Sequence, residues 1–182
     1  MTDHIADIVY DIPVTTSDVR RHTLAVLVDN EFGVLARVIG LFSGRGYNIE
    51  SLTVAEVEHD AKRSRITIVT SGTEMVIEQI KRLLEKMVPV YTVHDLTLEG
   101  PTIERELALV KVGNIGDERL ETLALADAFR ARVVDSTGDS LIFELTGVPK
   151  HIDEFIALMR PMGLLEVCRT GVTAIAKSRE GR

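Results

Sequence analysis

Apolar residues follow two different spacings in the first half of the chain. They are consecutive and often β-branched in short segments, and they recur every three to four positions in two longer ones. The first spacing predicts buried strands and the second predicts amphipathic helices. Thr73 precedes the second helical segment and belongs to a residue type that caps helices. The predicted elements are a strand over 23–28, a helix over 34–42, strands over 47–57 and 63–70, a helix after residue 73 and a strand over 88–98.

The second half repeats this order of elements with little sequence identity. Two βαββαβ units predict an α+β fold of two tandem ferredoxin-like domains, each a split βαβ sheet with two helices on one face. Pro101 lacks a backbone donor and therefore favours a boundary near residue 100. We predict an N-terminal extension over 1–21, a first domain over 22–99 and a second over 100–182. The elements predicted in the second half are a strand over 106–112, a helix over 117–130, strands over 132–136 and 140–146, a helix over 149–162 and a strand over 164–176.

Composition narrows the class of protein. Among 182 residues, 45% are hydrophobic and 27% charged, which is typical of globular domains. The absence of a signal sequence or a long apolar run leads us to expect a cytoplasmic protein without a membrane partner. The net charge of -7 argues against a nucleic-acid partner, which needs a basic face. The only cysteine, Cys168, forbids an intrachain disulfide, and we expect an inert, buried thiol.

We find no pattern that predicts a catalytic site or a metal site. The five histidines do not occur in pairs at the i, i+3 or i, i+4 spacing that directs two ligands to one metal. The segment Gly44-Arg45-Gly46 closes a predicted helix, whereas a dinucleotide-binding loop opens one. The carboxylates lie on predicted solvated faces rather than in an acid and base pair. We therefore expect no catalytic residue, no metal and no cofactor in this chain.

The segment 29–35 is the strongest candidate for a ligand site, because a strand turns there directly into a helix. Free amides at a helix N-terminus attract a carboxylate, and Gly33 lets a ligand approach the backbone. Asn30 can hold polar groups, while Val34, Leu35 and Ile49 can enclose an aliphatic side chain, as in a free apolar amino acid. A turn and helix cap without any ligand explain the same residues, and spacing alone favours that explanation.

Two adjoining stretches of sequence resemble a known family. Residues 24–38 resemble the opening of the ACT-domain family. Residues 40–54, above all the run Arg-Gly-Tyr-Asn-Ile-Glu-Ser-Leu at 45–52, resemble acetolactate synthase small subunits. Shorter similarities at 93–98, 103–107 and 109–112 extend the resemblance over about residues 22–176.

The resemblance implies that residues 22–99 form an ACT domain that dimerises edge to edge and binds valine between the two copies. Asn30, Gly33, Val34 and Leu35 match the family's ligand loop. Asn48 and Ile49 match the segment that the facing subunit contributes. Phe32 departs from the family pattern, which has a small residue or proline there, so selectivity among valine, leucine and isoleucine stays open.

The family further implies a regulatory subunit in branched-chain amino-acid biosynthesis. Such a subunit activates a large catalytic subunit, a transferase (EC 2.2.1.6) that holds thiamine diphosphate, Mg and FAD, and it confers feedback inhibition by valine. The alternative belongs to a different class of protein. It is a stand-alone amino-acid-sensing ACT protein that controls another enzyme or transcription. An independent enzyme on this scaffold requires a reactive constellation that the sequence does not contain.

Overall fold

The computed structural model describes residues 18–113, 116 and 119–177. The extension predicted over 1–21 lies almost entirely outside these residues, and the first strand begins at Arg20. All strand pairings are antiparallel. The elements are β1 (Arg20–Asp29), α1 (Val34–Gly44), β2 (Ser51–Glu58), β3 (Arg63–Gly72), α2 (Glu74–Glu85), β4 (Val90–Asp95), β5 (Thr102–Gly113), α3 (Arg119–Ala128), β6 (Arg132–Ser136), β7 (Ser140–Gly147), α4 (Pro149–Met159), β8 (Leu164–Arg169) and β9 (Thr173–Ala176).

The first domain is a four-stranded sheet in the order β2-β3-β1-β4, and its core lies between the sheet and the helices α1 and α2. Alternate side chains of β1 and β3 point into this core, as the period of two in a strand requires. Thr73 caps α2 as predicted, since its hydroxyl accepts a hydrogen bond from the Val76 amide at 3.4 Å. The fully buried core side chains include Leu24, Val26, Val38, Phe42, Ile66, Ile68, Ile77, Ile80 and Leu84.

The second domain repeats this topology with the order β6-β7-β5-β8. Its core packs α3 and α4 on one face of the sheet, around Phe143 and Phe155, whose rings meet edge to face with centroids 6.1 Å apart. The prediction of two tandem ferredoxin-like βαββαβ domains is therefore confirmed. The described helices all fall short of the length and apolar character that crossing a membrane requires.

Three sequence predictions are wrong in detail. Residues 47–50 are not part of β2, which begins only at Ser51. The strand predicted over 164–176 is two strands, because Gly171 has a φ of +85° that breaks the extended backbone. Cys168 is exposed rather than buried, since it pairs with Leu109 on the face of the sheet that no helix covers.

A two-stranded ribbon connects the domains. The first four residues of β5 pair with β9, and this ribbon packs on the face of the first sheet opposite its helices. The Val172 amide donates to the Ser51 hydroxyl at 2.8 Å, and the Val172 carbonyl accepts from the Thr53 hydroxyl at 3.0 Å. The apolar contacts of the ribbon involve Ala25, Val69, Leu96, Val172 and Ala174.

The ribbon affects the placement of the boundary between the two domains. Residues 102–105 and 172–176 follow the predicted boundary near residue 100, yet they pack against the sheet of the first domain. The division into 22–99 and 100–182 stays a prediction, because packing assigns the ribbon to both units.

Gly171→Ala is expected to loosen the ribbon. A Cβ at this position would lie 2.8 Å from the Ser51 hydroxyl oxygen, and the φ of +85° is strained for alanine. We expect the free energy of unfolding to fall by about 2 kcal/mol, measured by chemical denaturation. Gly138→Ala is the matched control, because its Cβ would meet no atom within 4 Å. Equal stability of the two variants would contradict this account of the ribbon.

Candidate functional site

The turn between β1 and α1 is held in place by backbone hydrogen bonds from both sides. The Asp29 amide donates to the Pro89 carbonyl at 2.9 Å, and the Asn30 amide donates to the Lys62 carbonyl at 2.6 Å. One of these bonds comes from the segment before β4 and the other from the turn before β3. The turn therefore has a defined position relative to the sheet.

A side-chain cluster that the sequence analysis missed adds to this support. The Tyr91 hydroxyl donates to Asp29 Oδ1 at 2.7 Å, and the Arg63 guanidinium lies 4.4 Å from the centre of the Tyr91 ring. The hydrogen bond to Asp29 raises the pKa of Tyr91, because removing the proton would lose that bond. These three residues are more than 25 positions apart, so no local pattern in the sequence could have joined them.

Gly33 gives the start of α1 an open backbone. Its φ of +83° lies in the left-handed region that favours glycine, and a Cβ there would meet no atom within 4 Å. No side chain caps this end of the helix, in contrast to Thr73 at the start of α2. Unpaired amides and the helix dipole therefore give the start of α1 a partial positive charge that faces open space.

Asn30 is exposed beside this helix end and makes one side-chain contact. Its Nδ2 donates to Glu56 Oε2 on β2 at 3.2 Å, and Glu56 Oε1 lies 2.7 Å from His59 Nδ1. The Glu56 carboxylate can pair with the ammonium group of a ligand. A ligand carboxylate near Asn30 would instead compete with Glu56 for the Asn30 side-chain amide. Glu56 is a second residue of this site that sequence analysis did not predict.

The predicted apolar residues of the loop differ in how they are placed. Val34 is 3% exposed and packs in the core of the first domain, and its backbone amide donates to the Glu31 carbonyl at 3.5 Å. Leu35 is 38% exposed on the surface of α1, and its side chain can contact a ligand. Phe32 is fully exposed at the tip of the turn.

Asn48 and Ile49 lie beyond the other end of α1. The Asn48 backbone carbonyl accepts a hydrogen bond from the Thr70 hydroxyl at 2.6 Å. The exposed side-chain amide of Asn48 makes no hydrogen bond to a residue that the structure describes. Ile49 packs against the edge of the core. Because α1 has 11 residues, its two ends are about 16 Å apart at a helical rise of about 1.5 Å per residue. One copy of the chain therefore does not bring Asn48 and Ile49 to Asn30 and Gly33.

The strand β2 lies at the edge of the first sheet and pairs with β3 on one side. Its residues from Val54 to Glu58 are exposed, including the apolar side chains of Val54 and Val57. An open edge strand presents unpaired backbone donors and acceptors that another strand can use.

The described part of the chain has no group of three or more His, Cys, Asp or Glu side chains arranged to hold a metal ion. The turn before α1 instead provides groups that can bind a ligand. These are amide donors, the Asn30 side chain and the Glu56 carboxylate, and exposed aliphatic groups lie beside them. This combination suits a small zwitterion with an apolar side chain.

Comparison with known proteins identifies similar chains for both domains. The family model described as the AHAS small subunit-like ACT domain matches residues 24–92, and the model described as the small subunit of acetolactate synthase matches residues 105–178. A probable acetolactate synthase small subunit of Archaeoglobus fulgidus is 45% identical over 160 residues, which cover 88% of this chain and 99% of the relative. The acetolactate synthase isozyme 3 small subunit of Escherichia coli is 44% identical over 158 residues, which cover 86% of this chain and 96% of that protein.

A solved structure is similar over nearly the same length. The crystal structure of the acetolactate synthase small subunit from Thermotoga maritima superposes with a TM-score of 0.79 at 36% sequence identity. The superposition covers 88% of this chain and 99% of that one. The similarity therefore extends over both domains.

Proposed function

The chain belongs to the family of acetolactate synthase small subunits, and from this premise we propose that it activates a large catalytic subunit and makes that enzyme sensitive to valine. Valine binds at the interface of an ACT-domain dimer. The chain supplies no catalytic group of its own. Thiamine diphosphate, Mg and FAD belong to the catalytic partner.

The observation that carries this proposal is the position of the six predicted site residues at opposite ends of α1. Asn30, Gly33, Val34 and Leu35 are at its start, whereas Asn48 and Ile49 follow its end. A two-fold axis beside the helix reverses the direction of α1 in the second copy, so that the start of one helix meets the end of the other. Each dimer then contains two equivalent sites, each with residues from both copies.

The open edge of β2 supports this arrangement of the dimer. Two β2 strands that pair antiparallel would join the two sheets into one of eight strands and would use the open backbone donors and acceptors of β2. Such an edge pairing is isologous, which is the usual geometry of a homodimer.

The chemistry of the site supports valine as the ligand. The valine carboxylate binds the uncapped amides at the start of α1, where Gly33 leaves the approach open. Its ammonium lies near Glu56 and the Asn30 carbonyl oxygen, and its isopropyl group contacts Leu35 and Ile49 of the two copies. The length and shape of this apolar pocket determine the selectivity among valine, leucine and isoleucine.

Inhibition requires that valine binds one arrangement of the dimer more tightly than another. A difference in affinity equivalent to about 1–3 kcal/mol is typical of allosteric coupling. Because valine contacts both copies at their interface, it can favour the arrangement in which the catalytic subunit is less active.

The test is the rate of acetolactate formation by the catalytic subunit from the same source, with and without this chain, across a valine titration. We expect the chain to raise the rate and valine to reverse the increase. No effect on a catalytic subunit that is shown to be competent would favour the stand-alone amino-acid sensor instead.

Asn48→Ala is expected to weaken valine binding about tenfold and to leave activation unchanged. The substitution removes a free side-chain amide, whereas the Asn48 carbonyl keeps its hydrogen bond from Thr70. The measurement is the valine concentration for half-maximal inhibition, together with the maximal rate. If activation is lost and valine affinity is unchanged, Asn48 belongs to the docking surface rather than to the valine site.

A further inference from the structure

A cavity of about 580 Å³ lies between the two domains, on the face of the first sheet opposite α1 and α2. Its floor comes from β2 and β3, including Thr53 and Thr67, whose side chains point away from the core of the first domain. Its walls come from β5, β7 and the turn between β8 and β9. The sheet separates this cavity from the turn before α1, so the proposed valine site and the cavity are different places.

The position of one wall is fixed by Gly171. Its φ of +85° turns the chain between β8 and β9, and the lack of a side chain lets the turn approach β2 closely. A Cβ there would lie 3.1 Å from the Thr53 side chain. The cavity is therefore bounded by a turn that packs tightly on the first sheet.

The floor includes the hydroxyl of Thr67, which borders the cavity. Thr67 is 3% exposed and faces Thr53 across the pair of strands. The Thr53 hydroxyl donates to Val172, but the Thr67 hydroxyl makes no hydrogen bond to any residue that the structure describes. A ligand in the cavity would supply a partner for this hydroxyl, since Thr67 is part of the lining.

Two arginines give the cavity a positive charge. Arg65 donates to the Ala174 carbonyl at 2.8 Å, and Arg105 donates to the Glu104 carbonyl at 2.7 Å. Neither guanidinium has a carboxylate within ion-pair distance in the described part of the chain. Each keeps further N–H donors, which suit the two oxygens of a carboxylate.

The one carboxylate in the lining is already neutralised. Glu106 accepts from Arg169 Nε at 2.8 Å and from Arg169 Nη2 at 2.6 Å. The cavity is therefore positive although the whole chain carries a net charge of -7. Such a local charge selects anions. The lining also contains the apolar residues Ala55, Val57 and Leu107, together with the threonines Thr146, Thr170 and Thr173.

We propose that this cavity binds a small organic carboxylate with a short aliphatic body. The carboxylate pairs with Arg65 and Arg105 and accepts a hydrogen bond from Thr67, while the aliphatic part contacts Val57 and Leu107. A free amino acid fits poorly, because its ammonium would lie near two guanidinium groups and no free carboxylate. The inference does not depend on the proposed valine site.

The experiment is calorimetric titration of the full chain with 3-methylbutanoate, 3-methylbutan-1-ol, inorganic phosphate and valine. In the variant Gly33→Asp, which disables the proposed valine site, we expect a Kd on the order of 1 mM for 3-methylbutanoate. The alcohol has the same carbon skeleton without the charge, and we expect it to bind at least about tenfold more weakly. We expect valine to give no signal in this variant.

Substitutions then assign the binding to the cavity. Arg105→Gln removes an exposed guanidinium and is expected to weaken 3-methylbutanoate binding about tenfold. Thr67→Val keeps the shape of the side chain and is expected to weaken the binding of 3-methylbutanoate about threefold. Arg82→Gln is the matched control, because Arg82 is exposed on α2 at the other face of the sheet. This variant should bind 3-methylbutanoate as tightly as the unsubstituted chain does.

Each contrary result overturns the proposal. No binding of 3-methylbutanoate at about ten times the expected Kd would show that the cavity does not take carboxylates. Unchanged binding in Arg105→Gln would place the ligand elsewhere, and equal binding of the alcohol would exclude a charge contact. Tighter binding of phosphate than of 3-methylbutanoate would exclude an aliphatic carboxylate as the ligand.

Discussion

Gly33→Asp is expected to abolish valine inhibition and to leave activation of the catalytic subunit intact. The new carboxylate would lie beside the helix amides that we propose to bind the carboxylate of valine. Two such charges about 4 Å apart repel by roughly 4 kcal/mol at the effective dielectric near a protein surface. Even after solvent screening, the valine concentration for half-maximal inhibition should rise about 100-fold or more. The measurement is the acetolactate formation rate across a valine titration.

Gly33→Asn is the matched control for this prediction. Asparagine and aspartate have nearly the same size, and both tolerate the left-handed backbone that Gly33 adopts with its φ of +83°. The open space beside Gly33 accommodates either side chain. We expect the asparagine variant to keep valine inhibition within about tenfold. Valine inhibition that persists in the aspartate variant would contradict the site, and equal loss in both variants would contradict the role of charge.

Arg169→Met is expected to cause the largest loss of stability among single substitutions at the junction of the domains. Arg169 holds the Glu106 carboxylate with two hydrogen bonds, and Glu106 is 5% exposed. The hydrogen bonds to Glu106 raise the pKa of Arg169, because they stabilise the charged guanidinium. Removing one partner leaves an uncompensated buried charge, and we expect the free energy of unfolding to fall by about 3 kcal/mol.

This loss should depend on the charge of Glu106. Adding Glu106→Gln to Arg169→Met removes the unpaired charge and is expected to restore about half of the stability. Arg132→Met is the control, since Arg132 forms an exposed pair with Glu144 in the same sheet and should cost less than about 0.5 kcal/mol. Chemical denaturation gives the free energy of unfolding of all three variants. A similar loss for Arg169→Met and Arg132→Met would mean that burial of Glu106 does not matter.

The elements of this protein follow closely from local patterns in the sequence. The predicted strand over 132–136 coincides with β6, and the helix predicted from Pro149 begins there as α4. These patterns are reliable because burial of one face imposes the period of the element on its apolar residues. The prediction failed at Gly171, where an extended apolar run continues past a glycine that turns the backbone.

The candidate site was predictable only where it is local. Asn30 and Gly33 stand three positions apart in a turn whose residue types indicate their backbone geometry. Glu56 reaches Asn30 from another strand through the register of β2 and β3, which single-sequence patterns do not specify. The burial of Val34 likewise depends on the direction in which α1 faces the sheet.

The sequence by itself determined the order of elements, the two-domain α+β fold and the turn that begins α1, because short-range backbone preferences and the periodic burial of apolar residues act within each segment. Only the tertiary structure decided how the β5 and β9 ribbon lies on the first sheet, that Cys168 is exposed, and that Arg65, Arg105 and Thr67 meet in one cavity. These features depend on contacts between residues far apart in the chain. Such contacts are set by packing between the domains and leave no periodic pattern in the sequence.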